Sequence, residues 1–165
     1  MRLENLRNHL KALISSLNGE WISKKSNYEE DACNQLNFEC QTKRYWDCMF
    51  KEDYIEIKKG KSIWLDEVRY CEILMSDTID DPKCDGCKIE TITIFIIPTK
   101  NKQYIEKIYV IETKNLIDAM KLTPEWAYSL LERKKQVKRS LNCQQSLTIS
   151  DLKKIADYVI INENV

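Results

Sequence analysis

Residues 45–59 read Tyr45-Trp46-Asp47-Cys48-Met49-Phe50-Lys51-Glu52-Asp53-Tyr54-Ile55-Glu56-Ile57-Lys58-Lys59. Two runs rich in aromatic and β-branched residues flank a charged turn, which predicts a hairpin with strands near 43–50 and 53–59. In a strand, residues two apart share a face. Tyr54, Glu56 and Lys58 therefore point one way, and Ile55 and Ile57 point the other way, toward a core. A turn at 51–53 brings Asp47, on the preceding strand, alongside Glu56. The open question is whether these charges are an ordinary solvated face or a place built to hold a metal ion.

Working outward, Leu3, Leu6, Leu10, Leu13, Ile14 and Leu17 recur at helical spacing, with Asn18-Gly19 as the stop. A second helix is predicted from Ser26 or Asn27, with Glu29 and Glu30 in its first turn, to about Leu36. After the hairpin, Ser62 reads as an N-cap for a helix carrying Trp64, Val68, Cys71 and Met75 on one side. The competing reading makes Lys59-Gly60-Lys61 a turn and 62–66 a strand. Residues 76–88, rich in Asp, Pro and Gly, form a loop. Two strands follow, "ETITIFIIPT" and "YIEKIYVIET", around the polar turn Lys100-Asn101-Lys102. The remainder reads as helical: 114–121, then Thr123-Pro124 to about Leu141 with Thr123 as cap, then Ser150 to about Val159. The expected fold is α/β or α+β, one domain over 1–165 with a central mixed sheet that carries the hairpin and is flanked by helices.

Composition narrows the function classes. The 165 residues are 43% hydrophobic and 32% charged, an ordinary globular balance, and the formal net charge is zero. Global charge gives no pull toward nucleic acid or membrane, so such binding must come from local patches. No stretch approaches a membrane span, and the charged first helix does not resemble a secretory leader. Seven cysteines without a leader point to mostly reduced thiols and a cytoplasmic location.

Two carboxylates at hairpin distance, Asp47 and Glu56, can bind Mg2+ through oxygen, with the main-chain carbonyl of Ile57 as a further ligand. Such an ion acidifies a bound water and neutralises charge on a phosphate under attack. Lys58 could orient or help deprotonate that water, or stabilise the charge of the transition state. Against this, Asp, gap, Glu-x-Lys arises by chance about once in a chain so rich in these residues. The context adds weight: the Glu-x-Lys lies in an apolar-flanked strand, with the Asp on the strand before and helices on either side.

The arrangement resembles the PD-(D/E)xK nuclease superfamily, and within it the small type II restriction endonucleases. Trp46-Asp47 stands where the family has Pro-Asp, and Glu56-Ile57-Lys58 where it has Glu-x-Lys; the proline is absent. The family's core runs helix, hairpin with the catalytic residues, then further strand and helix, an order that residues 26–112 follow. The resemblance implies a restriction-endonuclease-like fold, a Mg2+ cofactor, double-stranded DNA as substrate, hydrolysis leaving a 5′-phosphate, and a homodimer. It also implies an assisting carboxylate from the first core helix, Glu30 or Glu29.

Lys59 and Lys61, just past the motif, are candidates for DNA phosphate contact, and so is the basic run 133–139. Trp46, Tyr54 and Trp64 are expected to pack around the hairpin, and His9 to lie at the surface. Cys84-Asp85-Gly86-Cys87 has the spacing of half a zinc site, which Cys71 and Cys143 could complete if the fold brought them together. Two other readings follow: a non-enzymatic cysteine-rich binding protein with a zinc-stabilised loop, and a repair or recombination nuclease that reads DNA structure.

Overall fold

Strand β3 (Asp53–Lys59) organises the molecule, because it is covered on both sides. The computed structural model describes residues 2–23, 28–41, 43, 45–60, 63–76, 90–137 and 143–165. In it, β3 pairs antiparallel with β2 (Cys48–Phe50) and parallel with β5 (Ile92–Pro98). Beyond β2 lies the short β1 (Glu39–Cys40); beyond β5 lie β6 (Ile105–Glu112) and β8 (Tyr158–Ile161). The mixed sheet has six strands in the order β1-β2-β3-β5-β6-β8.

Alternation along β3 and β5 splits the apolar residues between two cores. Ile55, Ile57, Ile92, Ile94 and Ile96 pack with Leu6 and Leu10 of α1 (Arg2–Leu13) and with Ala32 and Cys33 of α2 (Tyr28–Gln35). Phe95, Ile97, Tyr109 and Ile111 face the other way. They meet Val68, Cys71 and Ile73 of α3 (Glu67–Leu74), Leu116 and Ile117 of α4 (Thr113–Ala119), Leu130 of α5 (Pro124–Gln136) and Leu152 of α6 (Ile149–Ile155). The result is α+β, a mixed central sheet flanked by helices, as expected. The parallel β3–β5 pair needs a long crossover, and α3 lies within it.

Several boundaries differ from the sequence reading. Residues 63–66 form a strand, β4 (Ile63–Asp66), not the first turn of a helix. Ile63 and Leu65 are buried and Trp64 is 60% exposed, which is the period of a strand. The partner of β4 is β7 (Gln144–Leu147), in a separate two-stranded sheet, so β3 and β4 do not pair as a hairpin. Asp66, not Ser62, caps α3, accepting a hydrogen bond from the Val68 amide; Ser62 lies outside the described residues, as do Ser26 and Asn27. The last segment is also not all helix. α6 ends at Ile155 and the chain re-enters the sheet as β8; just past its end the Asn162 side chain donates to the Ile105 carbonyl. Helix α5 begins as read, with Pro124 at its start and Thr123 accepting from the Trp126 amide, but ends at Gln136.

Gly19 marks a close approach rather than the end of α1, which gives way at Ile14 to a short 3-10 turn. Its amide donates to the Gln103 carbonyl, and a Cβ there would sit 2.6 Å from the Lys102 carbonyl oxygen. Only glycine fits that contact.

Candidate functional site

The residues singled out on the hairpin converge. Asp47 lies in the bend just before β2, and its Oδ2 accepts a hydrogen bond of 2.7 Å from the Ile57 amide. Its own amide donates to the Ile55 carbonyl. Asp47 is thereby tied to both ends of the dipeptide unit that flanks Glu56. Glu56 points to the α3 side of the sheet, into a narrow crevice lined with Tyr45, Arg69, Tyr70, Thr91 and Thr93. Its Oε1 lies 3.2 Å from Lys58 Nζ and 3.9 Å from Arg69 Nη1.

Both carboxylates are only 7% exposed, so this hairpin face is not a solvated one. Burial pushes the Asp47 carboxyl up to about 8; the Glu56 charge adds to this, and the Ile57 N–H opposes it. Burial raises Glu56 as well, while Lys58 and Arg69 hold it down. For Lys58, burial favours the neutral amine, but the Tyr70 phenol and the Glu56 carboxylate outweigh it and the ammonium is retained. In this arrangement Lys58 is a charged donor and not a ready base.

Helix α2 brings its first turn to the same place. The Glu29 charge acts on Asp47, Glu56 and Lys59; Glu30 is not among the main charges acting on any of them. Of the two candidates for an assisting carboxylate, Glu29 is the one whose charge acts on the pair. Tyr28 is in the same turn, with the Lys59 ammonium 3.9 Å from the centre of its ring. Lys59 is therefore engaged in a cation–π contact at the rim; Lys61 lies outside the described residues.

Sequence reading missed two groups from α3. Arg69 lies beside Glu56, and its Nε is buried with no hydrogen-bond partner among the described residues. The Tyr70 hydroxyl is in the same condition, in a side chain 2% exposed that senses the charges of Lys58, Glu56, Arg69 and Asp47. A buried donor without an acceptor is costly, so both stand out. No spacing rule pointed to them, because they enter from a different element.

The other candidates fall elsewhere. His9 is half-buried, its Nε2 2.6 Å from the Leu36 carbonyl oxygen and its ring against Phe38 and Phe50, so it is a packing residue and not a surface one. Trp46 packs on Tyr54, as expected, whereas Trp64 does not join them. Within the basic run, Lys134 reaches 2.9 Å to the buried Glu72 and Lys135 pairs with Glu132; residues 138 and 139 lie outside the described part. Cys143 donates to Glu67, and both lie near Cys71, so the fold does bring Cys71 and Cys143 together. Cys84 and Cys87 lie outside the described residues.

Among the described residues, no group of three or more His, Cys, Asp and Glu side chains is placed to hold a metal ion. Among the described residues, the pair Asp47–Glu56 therefore offers two carboxylates. No helix among the described residues is long and apolar enough to cross a membrane. The chain matches no protein-family model, and a search of curated proteins finds no match.

Proposed function

We propose that the Asp47–Glu56–Lys58 site binds Mg2+ and hydrolyses phosphodiester bonds in double-stranded DNA, in the manner of a small type II restriction endonuclease acting as a homodimer. A restriction-endonuclease-like fold is part of the same proposal, supported by the order of α2, the β2–β3 hairpin, and then further strands and helices. The observation that carries the reading is the burial of two carboxylates next to each other, with one held protonated up to about pH 8 by burial and by its neighbour. The donors of such a pair are hard oxygens, which suits Mg2+ better than a softer ion.

The ion would be held by Asp47, Glu56 and the Ile57 carbonyl, with Glu29 as the assisting carboxylate. When bound, it would supply a water of lowered pKa and counter the charge of the phosphate. The protein's own groups do the rest. The Asp47–Ile57 hydrogen bond fixes the carboxylate against the strand, so binding it requires little reorganisation. The Lys58 ammonium donates to the phosphate oxygens as charge builds on them. Arg69 and Tyr70, whose buried donors have no acceptor among the described residues, add hydrogen bonds to the same oxygens or to the departing 3′-oxygen. Lys59 stands at the rim for the adjoining backbone phosphate.

Supercoiled plasmid incubated with the purified chain in Mg2+ or EDTA tests this directly. The expected result is Mg2+-dependent cleavage that falls by about 10²-fold or more in Lys58→Ala and in Glu56→Gln. Discrete fragments would indicate a sequence-specific enzyme, and nicked circles one that reads DNA structure. Equal inertness of wild type and variants on several DNA substrates would defeat the proposal.

A further inference from the structure

Behind Asp47, on the side of the sheet away from Glu56, three thiols meet. Cys33 sits on α2 and Cys48 opens β2, both fully buried; Cys40, on β1, is exposed. Asn37, in the left-handed region with φ 55°, reverses the chain after α2, and the Phe38 amide closes the turn on the Cys33 carbonyl. That reversal lays β1 back beside α2. Cys40 and Cys48 are directly opposite in the β1–β2 ladder. The adjoining Gln41 amide donates to the Asp47 carbonyl, which makes Cys40 and Cys48 the non-hydrogen-bonded kind of pair, about 4.5 Å apart at Cα. The Cys33 thiol is in side-chain hydrogen-bond contact with both of the others. It also reaches the Asp47 carbonyl oxygen, 3.8 Å away.

We propose that Cys33, Cys40 and Cys48 form an oxidation site in which a hydroperoxide joins Cys40 to Cys33 as a disulfide. The exposed Cys40 is the thiol an oxidant meets first, and Cys33, touching it from α2, is the resolving partner. The cross-strand alternative, Cys40 with Cys48, is at the short limit of Cα separation for a disulfide. In the first step the Cys40 sulfur attacks the peroxide oxygen, the O–O bond breaks, and a sulfenic acid and one molecule of alcohol or water result. In the second, the Cys33 sulfur attacks the Cys40 sulfur, an S–S bond forms, and the sulfenic oxygen leaves as water with the remaining thiol proton. Two thiols are oxidised and one peroxide is reduced. The disulfide removes the Cys33 S–H from the Asp47 carbonyl and pins α2, which carries Glu29, to β1. The site stands whether or not the Asp47 pair cuts DNA.

Tryptic mapping of the full chain after hydrogen peroxide treatment and thiol alkylation tests the pairing. Cleavage after Lys25 and Lys43 leaves Cys33 and Cys40 in one peptide, 26–43, and cleavage after Arg44 and Lys51 places Cys48 in another. The expected product is the 26–43 peptide with neither cysteine alkylated and its mass lower by the two thiol hydrogens. Cys40→Ser, a change at an exposed position, should leave Cys33 alkylatable under the same treatment; Cys48→Ala should still form the link. Full alkylation of both cysteines after oxidation would overturn the proposal. So would a Cys40 that stops at sulfinic acid beside an alkylated Cys33, or a link between 26–43 and the Cys48 peptide.

Discussion

Asp47 carries the sharpest residue-level consequence. Its carboxyl has a folded value of about 8 against an ordinary value of 3.8. Between those limits the folded chain holds a proton that the unfolded chain has released, so stability falls as pH rises from about 4 to about 8 and levels off above. Asp47→Asn keeps an oxygen for the Ile57 amide and removes the titration. In EDTA at pH 8 the variant should be more stable than wild type by on the order of a few kcal/mol, with the difference gone near pH 4. Denaturant titrations across that range check it, and parallel pH profiles for the two proteins would show that Asp47 does not carry the burial assigned to it. The carboxylates and lysine of this site were legible in the sequence because strand alternation places Glu56 and Lys58 on one face. Arg69, Tyr70 and the preference for Glu29 over Glu30 were not, since each depends on how a helix is rotated against the sheet.

Among the elements, the instructive differences are β4, β7 and β8. Residues 63–66 match a helical face through Trp64 and Val68 and a strand through Ile63 and Leu65, and four residues cannot decide between the two periods. Pairing with β7 decides it, and β7, "QQSL", has no apolar alternation of its own to announce it. If 63–66 were helical, Trp64 would be on the packed side. As a strand, Leu65→Ala should cost about 2–5 kcal/mol while Trp64→Thr stays within about 0.5 kcal/mol. Thermal melts of the two variants separate the readings, and a large loss from Trp64→Thr would favour the helix. A second test concerns how α3 and α5 are joined. Glu72, buried on α3, accepts from the Tyr45 hydroxyl and from Lys134 of α5. Glu72→Ala leaves the buried Tyr45 hydroxyl without that acceptor, and a loss of about 2–4 kcal/mol in chemical denaturation is expected. A near-neutral result would mean that the bridge contributes little to holding the helices.

At the scale of the molecule, the sheet is buried on both faces, and that decides what the hairpin is. A mixed central sheet carrying the hairpin could be anticipated from the two β-rich runs at 90–112 and from the hairpin, but not β1 and β8 at its edges. Which helices cover which face could not, because α1 and α2 precede the hairpin while α3 to α6 follow it, and only packing assigns them to opposite sides. A charged strand face on an open sheet would be solvated and unremarkable; here Asp47 and Glu56 are both buried and Lys58 and Arg69 pair with Glu56, so it is Asp47 whose ionised form a bound cation would favour. The most direct measurement is therefore the melting temperature with Mg2+ or EDTA, at pH 6 and pH 8.5, for wild type, Asp47→Asn and Glu56→Gln. Mg2+ should stabilise the wild type by on the order of 5 °C at pH 8.5 and less at pH 6, where Asp47 holds its proton, and leave both variants unmoved. A Mg2+ shift that persists in the variants, or none in the wild type at either pH, would contradict the account.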